Sequence, residues 1–222
     1  MKKNCKTENC PSMAEVPDNP MFSKFLFYCP ECCNKHSAEA AQRAGKELRD
    51  SRVASWKKIC PIDFQETDIG RLPRPEKAQE VLSWIYGRKG LLLHGETGTG
   101  KSRCAWLLCE RVFNTGKSIQ ILGALAGFEY AGIFEGGGRA VNDWIECRCK
   151  CGLLFFDDVF KVKLTDSFEA AVFAIVDYRL SNGLPILATL NDTGDTLAAR
   201  MSSDRGDALV RRLKEMCDVI QF

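Results

Sequence analysis

Residues 90 to 102 read GLLLHGETGTGKS: a short apolar run, a turn with three glycines, then Lys101 and Ser102. Gly95 to Ser102 satisfies G-x-x-x-x-G-K-[ST], and the apolar run before it and the helix-forming stretch KSRCAWLLCERVF after it supply the strand-loop-helix setting that a phosphate loop requires. In such a loop the backbone N–H groups of Gly95, Glu96, Thr97, Gly98, Thr99 and Gly100 wrap the phosphates of ATP, with the glycines permitting the close approach. Lys101 pairs with the outer phosphates, and the Ser102 hydroxyl enters the shell of a magnesium ion, Mg2+.

Working outward, short apolar runs recur at 118–122, 152–157, 184–190 and 218–222, with helical stretches between them. Strands that are apolar along their whole length and alternate with helices predict a parallel five-stranded sheet in a layered α/β domain. The third run continues as LLFFDDVF (153–160), which sets two adjacent carboxylates at the end of a buried strand. Unpaired, they would be expensive to bury. A bivalent cation makes the pair tolerable, and in open α/β folds the carboxyl edge of the sheet is where ligands bind. Asp157 is therefore expected to hold the magnesium opposite Ser102. Asp158 is expected to orient the attacking water, or else to act as a second metal-shell or helix-capping carboxylate.

The 222 residues suffice for one α/β domain and a small appendage. With 31 Lys and Arg against 29 Asp and Glu, the net charge of +2 gives no general attraction to nucleic acid or membrane. No stretch reaches the ~18 apolar residues of a membrane span, so the expectation is a soluble, cytoplasmic protein. Twelve cysteines in a reducing compartment are expected to be metal ligands or core residues, not disulfides.

Composition shifts near residue 60, which predicts an N-terminal Cys-rich segment plus helix over 1–58 and an ATPase domain over 59–222. Within the first, Ser37 to Lys58 reads as one long helix; beyond it, a proline-bearing connector leads to a second helix over Glu76–Tyr86. Cys5 and Cys10, with Cys29 and Cys32 of YCPECC, form two pairs of thiols that can close a tetrahedral zinc site, Zn2+, in a segment too short and polar to hold itself together. Cys33 or His36 remain alternatives for one ligand. Cys147, Cys149 and Cys151 in CRCKC alternate at period two, which reads as the packed face of an incoming strand. Arg43, Lys46, Arg49 and Arg52, followed by Lys57 and Lys58, offer a basic helix face for phosphates or an acidic partner, or simply a solvated one.

Together GLLLHGETGTGKS, the stretch from LLFFDDVF to LATLND, and GDALVRRLKEM resemble the AAA+ helicase-loader ATPases of the DnaC type, with the IstB transposition ATPases close by. The resemblance runs from about Ile59 to Phe222. It implies that Asn191 contacts the γ-phosphate or attacking water, and that Arg212, with Arg211 as the fallback, is an arginine finger acting in trans on a neighbouring subunit. It further implies partnership with the replicative DNA helicase and single-stranded DNA, and no helical lid, since the chain ends at Phe222. Lys161 and Lys163, and a loop at Glu135–Arg139 between the second and third strands, are where DNA contact is expected. A transposition accessory ATPase and a nucleotide or small-molecule kinase remain as other readings.

Overall fold

The computed structural model describes residues 2–19, 21, 25, 27–161, 164–191, 197, 201 and 203–222, with residues 203 and 204 by backbone alone. The chain divides into two compact units, Met1–Ser55 and Trp56–Phe222. In the first, β1 (Lys2–Asn4) pairs antiparallel with β2 (Met13–Glu15), and α1 (Pro30–Ile59) begins where the sequence offers a proline, a residue whose missing N–H costs nothing in a first helical turn. Helix α1 starts seven residues before the stretch read from composition. It therefore carries Cys32 on its first turn, directly after Cys29.

The second unit opens with α2 (Ile62–Gln65), a 3-10 turn at Ile69–Arg71 and α3 (Pro75–Ser83). Helix α3 is shorter than expected: Trp84 leaves the helix and its indole N–H donates to the Lys89 carbonyl. There follow β3 (Gly90–His94), α4 (Lys101–Asn114), β4 (Ile119–Gly123), α5 (Ala126–Glu135), α6 (Gly138–Lys150), β5 (Leu153–Asp157), α7 (Asp166–Asn182), β6 (Ile186–Leu190), α8 (Ser203–Met216) and β7 (Cys217–Gln221). The five strands β3 to β7 are the five apolar runs of the sequence.

They form one parallel sheet in the order β4-β5-β6-β3-β7. The central strands β5, β6 and β3 are buried on both faces, whereas edge strand β7 exposes Asp218, Val219 and Gln221. Two apolar cores result. One lies under α5 to α8 around Phe156, Phe168 and Ile175; the other lies under α3 and α4 around Leu93, Trp106 and Phe155. This is the α/β P-loop architecture that the alternation predicts, and the crossovers bring the ends of β3, β5 and β6 to one edge.

Two expectations are corrected. CRCKC is not an incoming strand: α6 runs through Lys150, and residues two apart on a helix sit about 200° apart. Cys147 is accordingly exposed while Cys149 is buried, and Cys151 caps the helix end. Nor is Glu135–Arg139 a long loop, since only Gly136 and Gly137 separate α5 from α6.

A fully buried cation, Arg179 of α7, was not foreseen. Its guanidinium donates to the carbonyls of Arg148 (2.9 Å), Cys149 (3.2 Å), Cys151 (2.9 Å) and Pro185 (2.6 Å). It thus collects the orphan carbonyls at the negative end of α6 and ties them to the approach to β6. Arg179→Met should lower stability by about 3 kcal/mol, because several buried acceptors lose their donor together. Urea unfolding of the two proteins checks this, and equal midpoints would refute it.

Candidate nucleotide site and cysteine cluster

The phosphate loop owes its shape to backbone that only glycine adopts easily. Gly98 and Gly100 have φ of 83° and 95°. At Gly95 (φ 146°) a Cβ would lie 2.3 Å from the Phe222 carbonyl oxygen, because the chain after β7 returns to the loop and the Phe222 N–H donates to His94. Lys101 is buried, and its ammonium caps its own loop: it donates to the Gly95 carbonyl at 2.8 Å and the Glu96 carbonyl at 2.6 Å. Burial pushes its pKa down, and the carboxylate of Asp158 works against that shift. The ammonium thus sits on weak, neutral acceptors that a phosphate outcompetes.

Beside it, Ser102 Oγ donates to Asp157 Oδ1 at 3.0 Å. Two further donors hold the same carboxylate. Thr189 Oγ1 of β6 reaches Oδ1 at 3.1 Å, and the Trp106 indole Nε1 of α4 reaches Oδ2 at 3.1 Å. A hydroxyl and a carboxylate side by side, next to a phosphate loop, are the hard oxygen donors that suit Mg2+.

Asp158 sits one residue further along, in left-handed backbone (φ 53°), with its N–H donating to Thr189 Oγ1 at 3.1 Å. That strain is uncommon for a residue other than glycine. It swings the second carboxylate away from the strand toward Asn191, whose Nδ2 lies 3.4 Å from both Asp158 oxygens. The two residues line a cavity of about 220 Å³ with Thr97, Phe160, Lys161, Thr189 and Leu190. Burial, then the charge of Asp157, raise the Asp158 pKa, opposed by Lys161, Asn191 and Lys101. Lys161, expected from the sequence to contact DNA, lines this cavity. Lys163 lies outside the described residues.

Helix α8 sets Arg212 against α7. Its Nε donates to Asp177 Oδ1 at 2.7 Å, and its guanidinium lies 4.4 Å over the Phe173 ring. Arg211 is exposed and, among the described residues, has neither an ion pair nor a hydrogen bond. Thr189 and Trp106 are site residues that the sequence reading missed. Thr189 lies on β6, two residues before Asn191, which follows the strand's last residue, Leu190. Trp106 carries no comparable signal: an apolar position of a helix is its ordinary place.

In the N-terminal unit, the hairpin supplies Cys5 and Cys10, and the start of α1 supplies Cys29 and Cys32. Their four sulfurs all lie within 4.8 Å of one another. Cys10 and Cys29 are 3.7 Å apart, and Cys32 and Cys10 3.5 Å. A tetrahedral zinc with Zn–S of about 2.3 Å has S···S edges of about 3.8 Å, so the cluster fits the ion. Backbone N–H groups already point at two sulfurs, Cys29 N–H at Cys5 and Cys32 N–H at Cys29, and such donors favour thiolates. Neither alternative ligand joins the cluster. Cys33 is exposed, and His36 is turned to Thr7, Glu39 and the Tyr28 ring. Of the basic residues of α1, Arg43, Lys46, Arg49, Lys57 and Lys58 are exposed and Arg52 is half-buried. No described helix is long and apolar enough to cross a membrane.

No family model and no curated protein matches the chain by sequence. Solved structures do match its fold. DnaI superposes with a TM-score of 0.55 at 20% identity, over 72% of this chain and 88% of that one. The DnaC helicase loader does so with 0.55 at 17%, over 72% and 94%. DnaA from Aquifex aeolicus, bound to AMPPCP, gives 0.56 at 17%, over 67% of this chain and 45% of that one. This chain spans less than half the length of three of the solved chains it matches, the Aquifex aeolicus DnaA among them.

Proposed function

We propose that this chain, which has the AAA+ form of the P-loop fold, is an ATP-dependent replication-initiation switch of the helicase-loader kind. The observation that carries the reading is the convergence, at the ends of β3, β5 and β6, of Lys101, Ser102, Asp157, Asp158 and Asn191. These are the parts of an ATP-hydrolysing site, in the order and on the strands that the loader resemblance implies.

In the cycle, Lys101 gives up the Gly95 and Glu96 carbonyls and pairs with the outer phosphates. The loop N–H groups of Gly95 to Gly100 take the phosphate oxygens. Magnesium, when bound, would be held by Ser102 and Asp157 and would neutralise phosphate charge. Asp158 orients the attacking water, with Asn191 fixing its carboxylate. Arg212 completes the site of a neighbouring copy of the chain. The cysteine unit binds zinc, its segment 1–58 grips the replicative helicase, and single-stranded DNA is the other partner. The protein works in the cytoplasm, and ATP binding and hydrolysis set whether the helicase is held or released.

Lys101→Ala should abolish ATP binding at micromolar nucleotide while the thermal midpoint moves little, because the lysine bonds only to its own loop in the free chain. Normal phosphate release by that variant would end the nucleotide assignment. Phosphate release with and without single-stranded DNA, and capture of the replicative helicase by segment 1–58, test the loader reading itself. A small molecule phosphorylated at the expense of ATP would favour a kinase instead.

A further inference from the structure

The indole of Trp106 is held on several sides within the Trp56–Phe222 unit. It meets Phe155 edge-on at 5.4 Å, stacks on Phe64 at 5.8 Å with only 11° between the planes, and lies 5.9 Å from Trp56. The ring is almost fully buried, and a buried indole N–H needs an acceptor. The acceptor here is Asp157 Oδ2, at 3.1 Å. On its other oxygen the same carboxylate takes Ser102 at 3.0 Å and Thr189 at 3.1 Å.

This division has a chemical consequence. A carboxylate held from one side only can turn about its last torsion, which is broad for Asp, and so offer either oxygen, at varying angles, to a cation. The aromatic contacts fix the plane of the indole and hence the direction of its N–H. Oδ2 is thereby turned to the ring, and Oδ1 is left facing the Ser102 and Thr189 hydroxyls.

We infer that Trp106 is a positioning residue for the metal: its N–H locks the Asp157 carboxylate so that Oδ1, beside Ser102, is presented to Mg2+. The inference rests on the reading of Asp157 as the metal carboxylate. Partners that orient a ligating side chain from behind contribute roughly 10- to 100-fold to metal affinity. A donor aimed at a carboxylate from a buried ring belongs to that class.

Trp106→Phe keeps an aromatic ring in the cluster and deletes only the donor. The experiment titrates Mg2+ into protein with a fluorescent, non-hydrolysable ATP analogue, and repeats the binding measurement in excess EDTA. The half-saturating Mg2+ concentration should rise about tenfold in the variant, metal-free binding should be unchanged, and added Mg2+ should restore full binding. Two results overturn the inference: an unchanged midpoint, or metal-free and metal-dependent binding falling in parallel, which marks a purely structural role. The wild-type titration separates the two levels, because nucleotide binding indifferent to Mg2+ there would remove the Asp157 assignment itself. Should Trp106→Phe not fold, the indole N–H resonance of Trp106 in the wild-type nucleotide complex decides. It should shift when Mg2+ is added, and an unmoved signal overturns the inference.

Discussion

Protein purified without chelators is expected to carry about one zinc per chain, and Cys29→Ser together with Cys32→Ser is expected to lose it and unfold the residues before Ser37. The size of the effect follows from what else holds that segment. Strands β1 and β2 have three residues each, too few for a hairpin to stand alone in water. The described buried apolar residues before α1 are Ala14, Val16 and Cys29 itself. Burial of that little apolar surface cannot offset the entropy of ordering the chain. Structural zinc contributes on the order of 10 kcal/mol to such units, so removing two of its four thiolates leaves nothing of comparable size. The Trp56–Phe222 unit buries its own two cores, so ATP binding should survive in the variant. Metal analysis gives the zinc content, and limited proteolysis gives the boundary. Zinc-free protein in which residues 2–36 resist protease would sink the assignment.

What was legible in the sequence was whatever a short-range rule governs. The five strands were readable because β3, β5 and β6 are buried on both faces and leave unbroken apolar runs; the loop was readable because its glycines and Lys101 sit at fixed offsets. The cysteine quartet was readable for the same reason, and the metal-binding geometry then separates it from Cys33 and His36. CRCKC misled because period two is also what three cysteines give when they run off a helix end, and only the packing of α6 on α7 decides between the two. Arg179 and Trp106 were invisible for a different reason. Their roles depend on carbonyls and a carboxylate brought from distant parts of the chain: Arg148 and Cys151 in one case, Asp157 in the other. No spacing in the sequence encodes such a meeting. Lys161 lay in between, since its place after the acidic pair was clear but the direction of the turn at Val159–Lys161, which brings it to the cavity lined by Asp158 and Asn191, was not.

Arg212→Ala should still bind ATP, yet its hydrolysis should fall by roughly 10³-fold, the range of arginine fingers. In the free chain this guanidinium is engaged by Asp177 and lies over Phe173. That engagement is not a barrier to action in trans. Asp177 is half exposed, and exposed ion pairs contribute only about 0–1 kcal/mol, whereas the triphosphate of a neighbouring site offers several negative charges at close range. On the proposed reading, Asp177 would hold Arg212 only until a neighbouring site supplied a stronger anion. Arg211→Ala is the control: its side chain is exposed, with neither an ion pair nor a hydrogen bond among the described residues, and its hydrolysis should stay within about twofold. If the loss follows Arg211 instead, the finger is that residue. Mixing Arg212→Ala with Asp158→Asn subunits then tests whether the residue acts across an interface. An Asp158→Asn chain keeps its finger but not the water-orienting carboxylate, so an intact Asp158 in one subunit can meet an intact Arg212 from the next. Phosphate release measured across mixing ratios, at fixed total protein with single-stranded DNA present, should exceed the sum of the two variants alone. A monomeric kinase would show no such rescue. Activity that never rises above that sum would count against the finger in trans, and with it against an assembled loader.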